Sequence, residues 1–354
     1  MRGLHQGRPV EVIHFGLGNV GRAALRLART REWLRPVAAV IGGNSPVGEL
    51  VKSGEIPDDL ALSPDPDQLL DRFRPEVALI ATRSPIAEVK DDILRCVRRG
   101  VNVVTSSEEL AYPEVTDASA GEEIADACRR FGAAVVATGI NPGFVFDVLP
   151  VVVAGACWDV QRISVTRALD ASVFGQRVHR SLGVGYSLED FEEAREAGII
   201  RGHIGFEESA EVIAEALGRD LDHFSETVQP LIADRSYRLR EYVISPGQTA
   251  GVTQEATASV NGRPWLRFDL SLHVDPDSVR IQTRDRIRIE GENTIDVTIQ
   301  PGTQAVLTTS ARLVNSIPSV LSAPPGLYNA TGLLPAAPWL GEVLPPGVRR
   351  SRRT

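Results

Sequence analysis

Cysteine is scarce in this chain: Cys96, Cys128 and Cys157 are the only three among 354 residues. They are too few and too scattered for a disulfide framework or a zinc site. A reducing cytoplasm is therefore the simplest compartment. His5, His14, His179, His203, His223 and His273 never fall at metal-ligand spacing, so no metal is expected. No apolar run approaches the ~18 residues of a membrane span. The Met1–Pro9 segment lacks the apolar stretch of a secretory signal. Positive charge is in deficit, with 38 Lys and Arg against 46 Asp and Glu and a net charge of −8. That balance excludes the basic footprint of a nucleic-acid binder and gives no hold on an anionic membrane. Repeats and low-complexity tracts are absent. The basic tail over 349–353 reads as a disordered, solvated end.

What is present is ample core. Hydrophobic residues make up 43% and charged residues 24%, the balance of a globular protein. At about 100–200 residues per domain the length fits two domains.

The first half alternates strands and helices. Val10–Phe15, Val37–Ile41, Val77–Ala81, Val101–Thr105 and Ala133–Ala137 are short Val/Ile/Ala runs without alternation. Between them lie helical stretches over Arg22–Thr30, Ile86–Arg99 and Thr116–Phe131, the last two stopped by Gly100 and Gly132. Continuous apolar strands are what a parallel sheet covered on both faces requires. Right-handed βαβ units then give a doubly wound Rossmann sheet over residues 1–150.

The pattern changes after about residue 150. Ile163–Arg167 reads as a strand, Ser187–Gly198 as a capped helix and Glu207–Leu217 as another helix. From Tyr237 to Gln300 polar and apolar residues alternate, and Asn261-Gly262 is a hairpin turn. The fold class is thus α/β, with an N-terminal Rossmann sheet and a second α+β domain, 151–302, built on a largely antiparallel sheet. A last helix over Thr303–Leu321, within 303–340, completes the first domain. A one-sided sheet needs covering helices or a second copy, so a homodimer is expected.

Gly16-Leu17-Gly18-Asn19-Val20-Gly21 sits directly after the first strand and opens a helix. The first glycine permits a tight turn, the second lets backbone approach a pyrophosphate, and the third lets helix pack on strand. Free N–H groups at the helix start would hold the phosphates. A nicotinamide dinucleotide is therefore the expected cofactor. An NAD-selective turn carries Asp or Glu after the second strand. This chain has Asn44 and Ser45 there and no carboxylate from Trp33 to Gly48, which favours NADP(H) over NAD(H).

Three further loops follow parallel strands, where ligands bind in open α/β sheets. Thr82-Arg83-Ser84 should run beneath the cofactor. Glu108 and Glu109 are adjacent, so in extended backbone only one faces the crevice. Their alternative role is a solvated loop or a helix first turn. Asn141, within Gly139-Ile-Asn-Pro-Gly143, marks a fixed turn that carries either cofactor contacts or only structure.

The chain resembles the 2,4-diaminopentanoate dehydrogenase family and its relatives, the native amine dehydrogenases, which share a dihydrodipicolinate-reductase-like architecture. The likeness is carried by Gly16–Gly21, Ser107-Glu-Glu-Leu-Ala-Tyr-Pro113, Gly139-Ile-Asn-Pro-Gly-Phe144, Gly202-His-Ile-Gly-Phe-Glu-Glu-Ser209, Pro246–Gly251 and Asn315–Pro318 with Ala323–Leu327. It implies reversible NAD(P)-dependent reductive amination of a ketone or aldehyde with ammonia. Glu108 falls at the family's catalytic position and Glu109 is the second choice. A partly buried glutamate with a raised pKa suits such proton transfers. The carbon chain needs an apolar pocket over the nicotinamide: Tyr112, Ile140, Phe144 and Phe174 are candidate walls, with ordinary core as their alternative role, and Arg167, His203 and His273 are candidate polar lining.

One departure is informative. The last helix opens on Gly302-Thr-Gln-Ala, where the family pattern has Gly-Asp-Thr or an Ala-rich start. A dihydrodipicolinate-type reductase of a preformed C=N or C=C bond is the competing enzyme, yet its basic His-His-Arg/Lys signature is missing. A non-catalytic nucleotide sensor is the third reading.

Overall fold

The computed structural model describes residues 8–42, 47–52, 54–333, 336–343 and 348. The tail over 349–353 lies outside them. The chain divides into two compact units, Met1–Phe144 with Gln304–Thr354, and Val145–Thr303.

The first unit begins β1 (Val10–Phe15), α1 (Asn19–Arg29), β2 (Leu34–Val40), α2 (Val47–Lys52), β3 (Ala61–Ser63) and α3 (Pro66–Phe73). It continues β4 (Val77–Ile80), α4 (Ile86–Val97), β5 (Asn102–Thr105), α5 (Ala118–Phe131) and β6 (Ala134–Ala137). The second unit holds α6 (Val148–Ala154), β7 (Arg162–Asp170), α7 (Gln176–Ser181), α8 (Leu188–Glu196), α9 (Phe206–Ala216) and β8 (His223–Ile232). The pair β9 (Tyr237–Arg238) and β10 (Val243–Ile244) follows, then β11 (Thr249–Val260), β12 (Arg263–His273), β13 (Arg284–Glu290) and β14 (Ile295–Ile299). The chain returns to the first unit with α10 (Ala305–Asn315), α11 (Ile317–Ser322) and β15 (Gly326–Tyr328).

The first sheet is parallel throughout, in the order β15-β6-β5-β4-β1-β2-β3. Its strands are buried on both faces, which explains their unalternating sequence. Ile13 and Phe15 face α3, α4 and α5 through Leu70, Val89, Ile93 and Ile124. Val10 and Val12 face the other side, where Ala24, Ala28, Leu313 and Ile317 from α1, α10 and α11 pack. Burying such side chains is worth about 1.5–3 kcal/mol each. Strand order reverses between β1 and β4, so both carboxyl ends open on one crevice.

Several sequence boundaries move. β2 starts at Leu34 and includes Pro36, because its register slips past Val37 and its other neighbour, β3, pairs only with Ala38–Val40. Pro36 therefore needs no N–H toward a second strand. The last helix breaks in two at Ser316, with Pro318 in the first turn of α11, where its missing N–H costs nothing.

The second sheet runs β14-β13-β7-β12-β11-β8. It is mixed: β7 pairs parallel with β12, and the other pairs are antiparallel. Its antiparallel part begins at β8, upstream of the alternation at 237–300, since β8 is an exposed edge strand with little apolar signal. Asn261 (φ 52°) and Gly262 (φ 71°) close the β11–β12 hairpin as both-positive turn residues. Ser187 caps α8, its Oγ accepting from Asp190 N at 3.1 Å.

Candidate active site

Among the described residues the glycine loop has the shape a dinucleotide needs. A Cβ on Gly21 would stand 2.0 Å from Gly16 O, so helix and turn touch only because both lack one. Gly16 holds φ +84°, and a Cβ there would meet Thr82 Cγ2 at 2.9 Å. The turns after β1 and β4 thus lie against each other. Gly18 differs, since nothing lies within 4 Å of its missing Cβ. That space is where a pyrophosphate would approach the start of α1. Leu17 is buried against Leu25, Ala39 and Ile56. Asn19 accepts from Arg22 Nη2 at 3.1 Å through Oδ1, and Val20 O accepts from Ser310 Oγ at 3.0 Å. Asn44 and Ser45 lie outside the described residues. Gly18→Ala is expected to keep the unfolding midpoint while weakening NADPH binding about tenfold or more, since its backbone angles suit alanine. Fluorescence titration of NADPH against thermal unfolding checks both halves.

The turns after β4 and β5 are bolted together. Ser107 Oγ donates to Ser84 O at 2.6 Å, and Ser107 N donates to Thr105 Oγ1 at 3.2 Å. Arg83 is ion-paired with Glu88 at 2.9 Å, and Thr82 is exposed. The two glutamates separate by role. Glu109 is buried, and its Oε2 accepts the Ile86 N–H at 2.9 Å. Ile86 opens α4, so this carboxylate sits on the positive end of the helix. Glu108 is half-buried at the head of the following turn, with Tyr112 beyond it.

The next turn joins the same rim, because Thr138 N donates to Thr105 O at 2.8 Å. Thr138 Oγ1 and Asn141 Oδ1 are buried there with no hydrogen-bond partner among the described residues. Buried polar atoms require partners, so these two atoms could serve a ligand that reaches this rim. Gly143 (φ +121°) keeps the turn tight, since a Cβ would meet Gly139 N at 2.1 Å. Ile140 is buried, and Phe144 lies under the Arg312 guanidinium at 5.7 Å.

In the second unit a polar row crosses the sheet. Asp285, Arg167, Leu270 and Gln254 are successive cross-strand partners on β13, β7, β12 and β11. All four are 4% exposed or less. Arg167 Nη1 donates to Asp285 Oδ1 at 2.8 Å and to Thr303 Oγ1 at 2.7 Å, and Nη2 to Thr303 O at 2.9 Å. Thr303 N returns a bond to Asp285 Oδ2 at 2.7 Å. The threonine that departs from the family pattern thus closes this cluster. Gln254 brackets the His203 backbone, accepting from N at 2.7 Å and donating to O at 2.9 Å.

His203 therefore joins Arg167 on one face of the sheet. His273 does not: its residue parity puts it on the opposite face, with Tyr237 edge-on at 5.3 Å and the Asp275 N–H on its Nδ1 at 3.0 Å. His273 and Arg167 therefore lie on opposite faces of the sheet, because strand neighbours alternate. Phe174 ends a 3-10 turn before α7 and is half-buried. Gln254, Asp285 and Thr303 escaped the sequence reading. Each strand residue did carry a signal, a polar side chain at an inward position of an alternating strand.

Two histidines are held neutral. Burial pulls His14 from 6.5 to about 4. Burial, aided by the Arg167 charge, pulls His203 to about 4 as well. Both folded values lie below the ordinary one. The neutral forms therefore stabilise the fold above pH 6.5, and that stability is lost as pH falls from there through 4. The full loss is about 3 kcal/mol per histidine. Urea midpoints should drop steeply between pH 6.5 and 4, and less steeply in His14→Leu. An identical pH slope in that variant would exclude His14 as a cause.

Residues 144–343, more than half of the chain, match the family model described as the 2,4-diaminopentanoate dehydrogenase C-terminal domain. A 2,4-diaminopentanoate dehydrogenase from Acetoanaerobium sticklandii is 28% identical over 330 residues, covering 92% of this chain and 93% of that one. An amine dehydrogenase from Streptomyces virginiae is 26% identical over 360 residues, covering 94% and 98%. The solved amine dehydrogenase from Mycobacterium smegmatis superposes with a TM-score of 0.82 at 21% identity, covering 95% and 98%, a likeness of fold. The chain belongs to the 2,4-diaminopentanoate dehydrogenase family.

Proposed function

We propose that this protein is an NAD(P)-dependent amine dehydrogenase that reversibly converts a small ketone or aldehyde and ammonia to an amine, with Glu108 as its catalytic residue. One observation carries the assignment within the pair. Glu109 is committed to the first turn of α4 through Ile86 N, while Glu108 stands half-buried on the rim that Gly16, Thr82 and Asn141 share.

Ammonia is mostly protonated near neutral pH, yet only the neutral amine attacks a carbonyl. The Glu108 carboxylate would hold ammonium and take its proton as nitrogen adds. The same group, now an acid, would hand a proton to the departing hydroxyl of the carbinolamine. Its negative charge then stabilises the cationic iminium carbon. A nicotinamide ring, when bound, supplies the hydride that reduces that carbon, or takes it in the reverse direction. Gly18 and the start of α1 would hold its pyrophosphate, and Thr138 and Asn141 its carboxamide. In this reading the first unit is the cofactor domain, with Tyr112, Ile140 and Phe144 as apolar walls on its rim, and the second is the substrate and dimer domain.

NADP(H) is the preferred cofactor in this proposal. A groove of about 690 Å³ runs along α1 past Asn19, Arg22, Arg26 and Arg29. Glu55 lines it too and is ion-paired with Arg22 at 3.4 Å, so the preference rests on the turn, which has no carboxylate between residues 33 and 48. A homodimer belongs to the same proposal, because β8 is a ten-residue edge strand with six exposed residues. Among the described residues no helix is long and apolar enough to cross a membrane. Cys96, Cys128 and Cys157 are free thiols, as a reducing cytoplasm would keep them.

The deciding experiment follows NADPH and NADH oxidation with cyclohexanone, small aldehydes or 2-amino-4-oxopentanoate, with and without ammonium. Ammonium-dependent oxidation is expected. Oxidation independent of ammonium would indicate a reductase of preformed double bonds. No oxidation with any carbonyl would sink the proposal.

A further inference from the structure

The turn after β6 is fastened at its start, middle and end, all within the first unit. Thr138 N donates to Thr105 O at 2.8 Å, which ties the start to β5. The middle is folded on itself: a Cβ on Gly143 would stand 2.1 Å from Gly139 N and 2.8 Å from Thr138 Oγ1. At the end, Phe144 lies under the Arg312 guanidinium, 5.7 Å from the ring centre. Between these fastenings stand Thr138 Oγ1 and Asn141 Oδ1, buried and without a hydrogen-bond partner among the described residues.

α10 supplies the last fastening. Thr309 and Arg312 lie at i and i+3 of this helix and so share one of its faces. Thr309 stands against the same turn, since a Cβ on Gly139 would meet its Cγ2 at 3.6 Å. Ser310 reaches the glycine loop: its Oγ, 2.7 Å from Val306 O in its own helix, is 3.0 Å from Val20 O. Leu313 and Val314 pack with Ala24 and Ala28 of α1. A single helix thus touches both ends of the rim, the loop suited to a pyrophosphate and the turn that carries the two unmet oxygens. A rigid element in contact with two loops fixes the spacing between them.

Arg312 is the unusual member of that helix. It is 9% exposed, while the other buried residues of α10 are Ser310, Leu313 and Val314. Enclosing a guanidinium costs more than enclosing an apolar side chain of similar length. Filling the space alone would be met by a methionine. What an arginine adds is a planar cation that sits on an aromatic face and holds the ring in one orientation.

We propose that Arg312 is a positioning residue for the nicotinamide end of the cofactor. Its guanidinium pins Phe144, Phe144 closes the turn, and the turn aims Thr138 Oγ1 and Asn141 Oδ1 at the nicotinamide carboxamide. Both oxygens can accept, and a carboxamide NH2 offers two N–H donors. Arg312 itself touches neither the ring nor the substrate in this arrangement; it acts through Phe144. The inference rests on the nicotinamide cofactor of the proposed function and adds to it the residue that sets the cofactor's reactive end.

The experiment measures two affinities by calorimetry on the full-length protein. One ligand is NADPH and the other is 2′-phospho-ADP-ribose, the same nucleotide without the nicotinamide ring. Should NADH bind tighter than NADPH, NADH and ADP-ribose form the pair. In the unaltered protein the complete dinucleotide should bind tighter by roughly tenfold or more. Arg312→Met should weaken the complete dinucleotide roughly 5–30-fold and leave the ring-less one within about twofold. Arg312→Lys, which still sets a cation over the ring, should fall between. Phe144→Leu, which keeps the charge and removes the ring beneath it, should match Arg312→Met. An arginine that only supports the fold would weaken both nucleotides alike or shift the unfolding midpoint alone, and either result overturns the inference. Equal affinity for the two nucleotides in the unaltered protein overturns it too, as does loss of both nucleotides in both Arg312→Met and Phe144→Leu. If the unaltered protein binds neither NADPH nor NADH, the dinucleotide reading itself has failed and the inference falls with it.

Discussion

Glu108→Gln is expected to lower ammonium-dependent NADPH oxidation by about 100- to 10,000-fold, while NADPH still binds with an affinity within about twofold. Glutamine keeps the shape of the side chain and loses its charge and proton affinity. Nitrogen addition and loss of water would therefore both slow, whereas cofactor contacts on Gly18 and Asn141 would not change. Glu109→Ala should behave differently. It removes the acceptor of the Ile86 N–H, leaving a buried donor at the start of α4 unmet. That costs about 1–3 kcal/mol and reads out in the unfolding midpoint. If Glu108→Gln retained full turnover and Glu109→Gln lost it, the two carboxylates would have to exchange roles.

That separation was beyond the sequence. Glu108 and Glu109 are identical neighbours in it, and alternation says only that they part ways. Which one turns inward depends on Ile86, 23 residues upstream, reaching back across the sheet. The glycine loop, by contrast, was fully legible, because each glycine answers to a local steric demand that no other residue meets. The Asn261-Gly262 hairpin and the Ser187 cap were legible for the same reason. β8 and β3 were not, since an exposed edge strand and a three-residue strand carry too little apolar pattern to register. Arg167 and His203 were picked out one at a time. Their shared face, and the exile of His273 to the other, follow from register between β7 and β12, which is a long-range pairing. Thr303 looked like a departure from pattern and turns out to close the Arg167–Asp285 cluster.

That cluster carries the largest stability effect. Asp285→Ala should destabilise the protein by about 3–5 kcal/mol, about a fifth or more of the ~5–15 kcal/mol typical of a domain. The reason is asymmetry. The Arg167–Asp285 pair is fully buried on both sides, at 2.8 Å. The net worth of such a pair against a hydrophobic one is small, because both charges gave up water to form it. Removing only the carboxylate leaves a buried guanidinium facing no opposite charge, and Thr303 N and Oγ1 lose their acceptor as well. Replacing both partners, Arg167→Met with Asp285→Leu, should recover most of the loss in a urea unfolding series. A loss below about 1 kcal/mol for Asp285→Ala would mean that water reaches the guanidinium. The polar row would then be an ordinary solvated ion pair rather than a dry one.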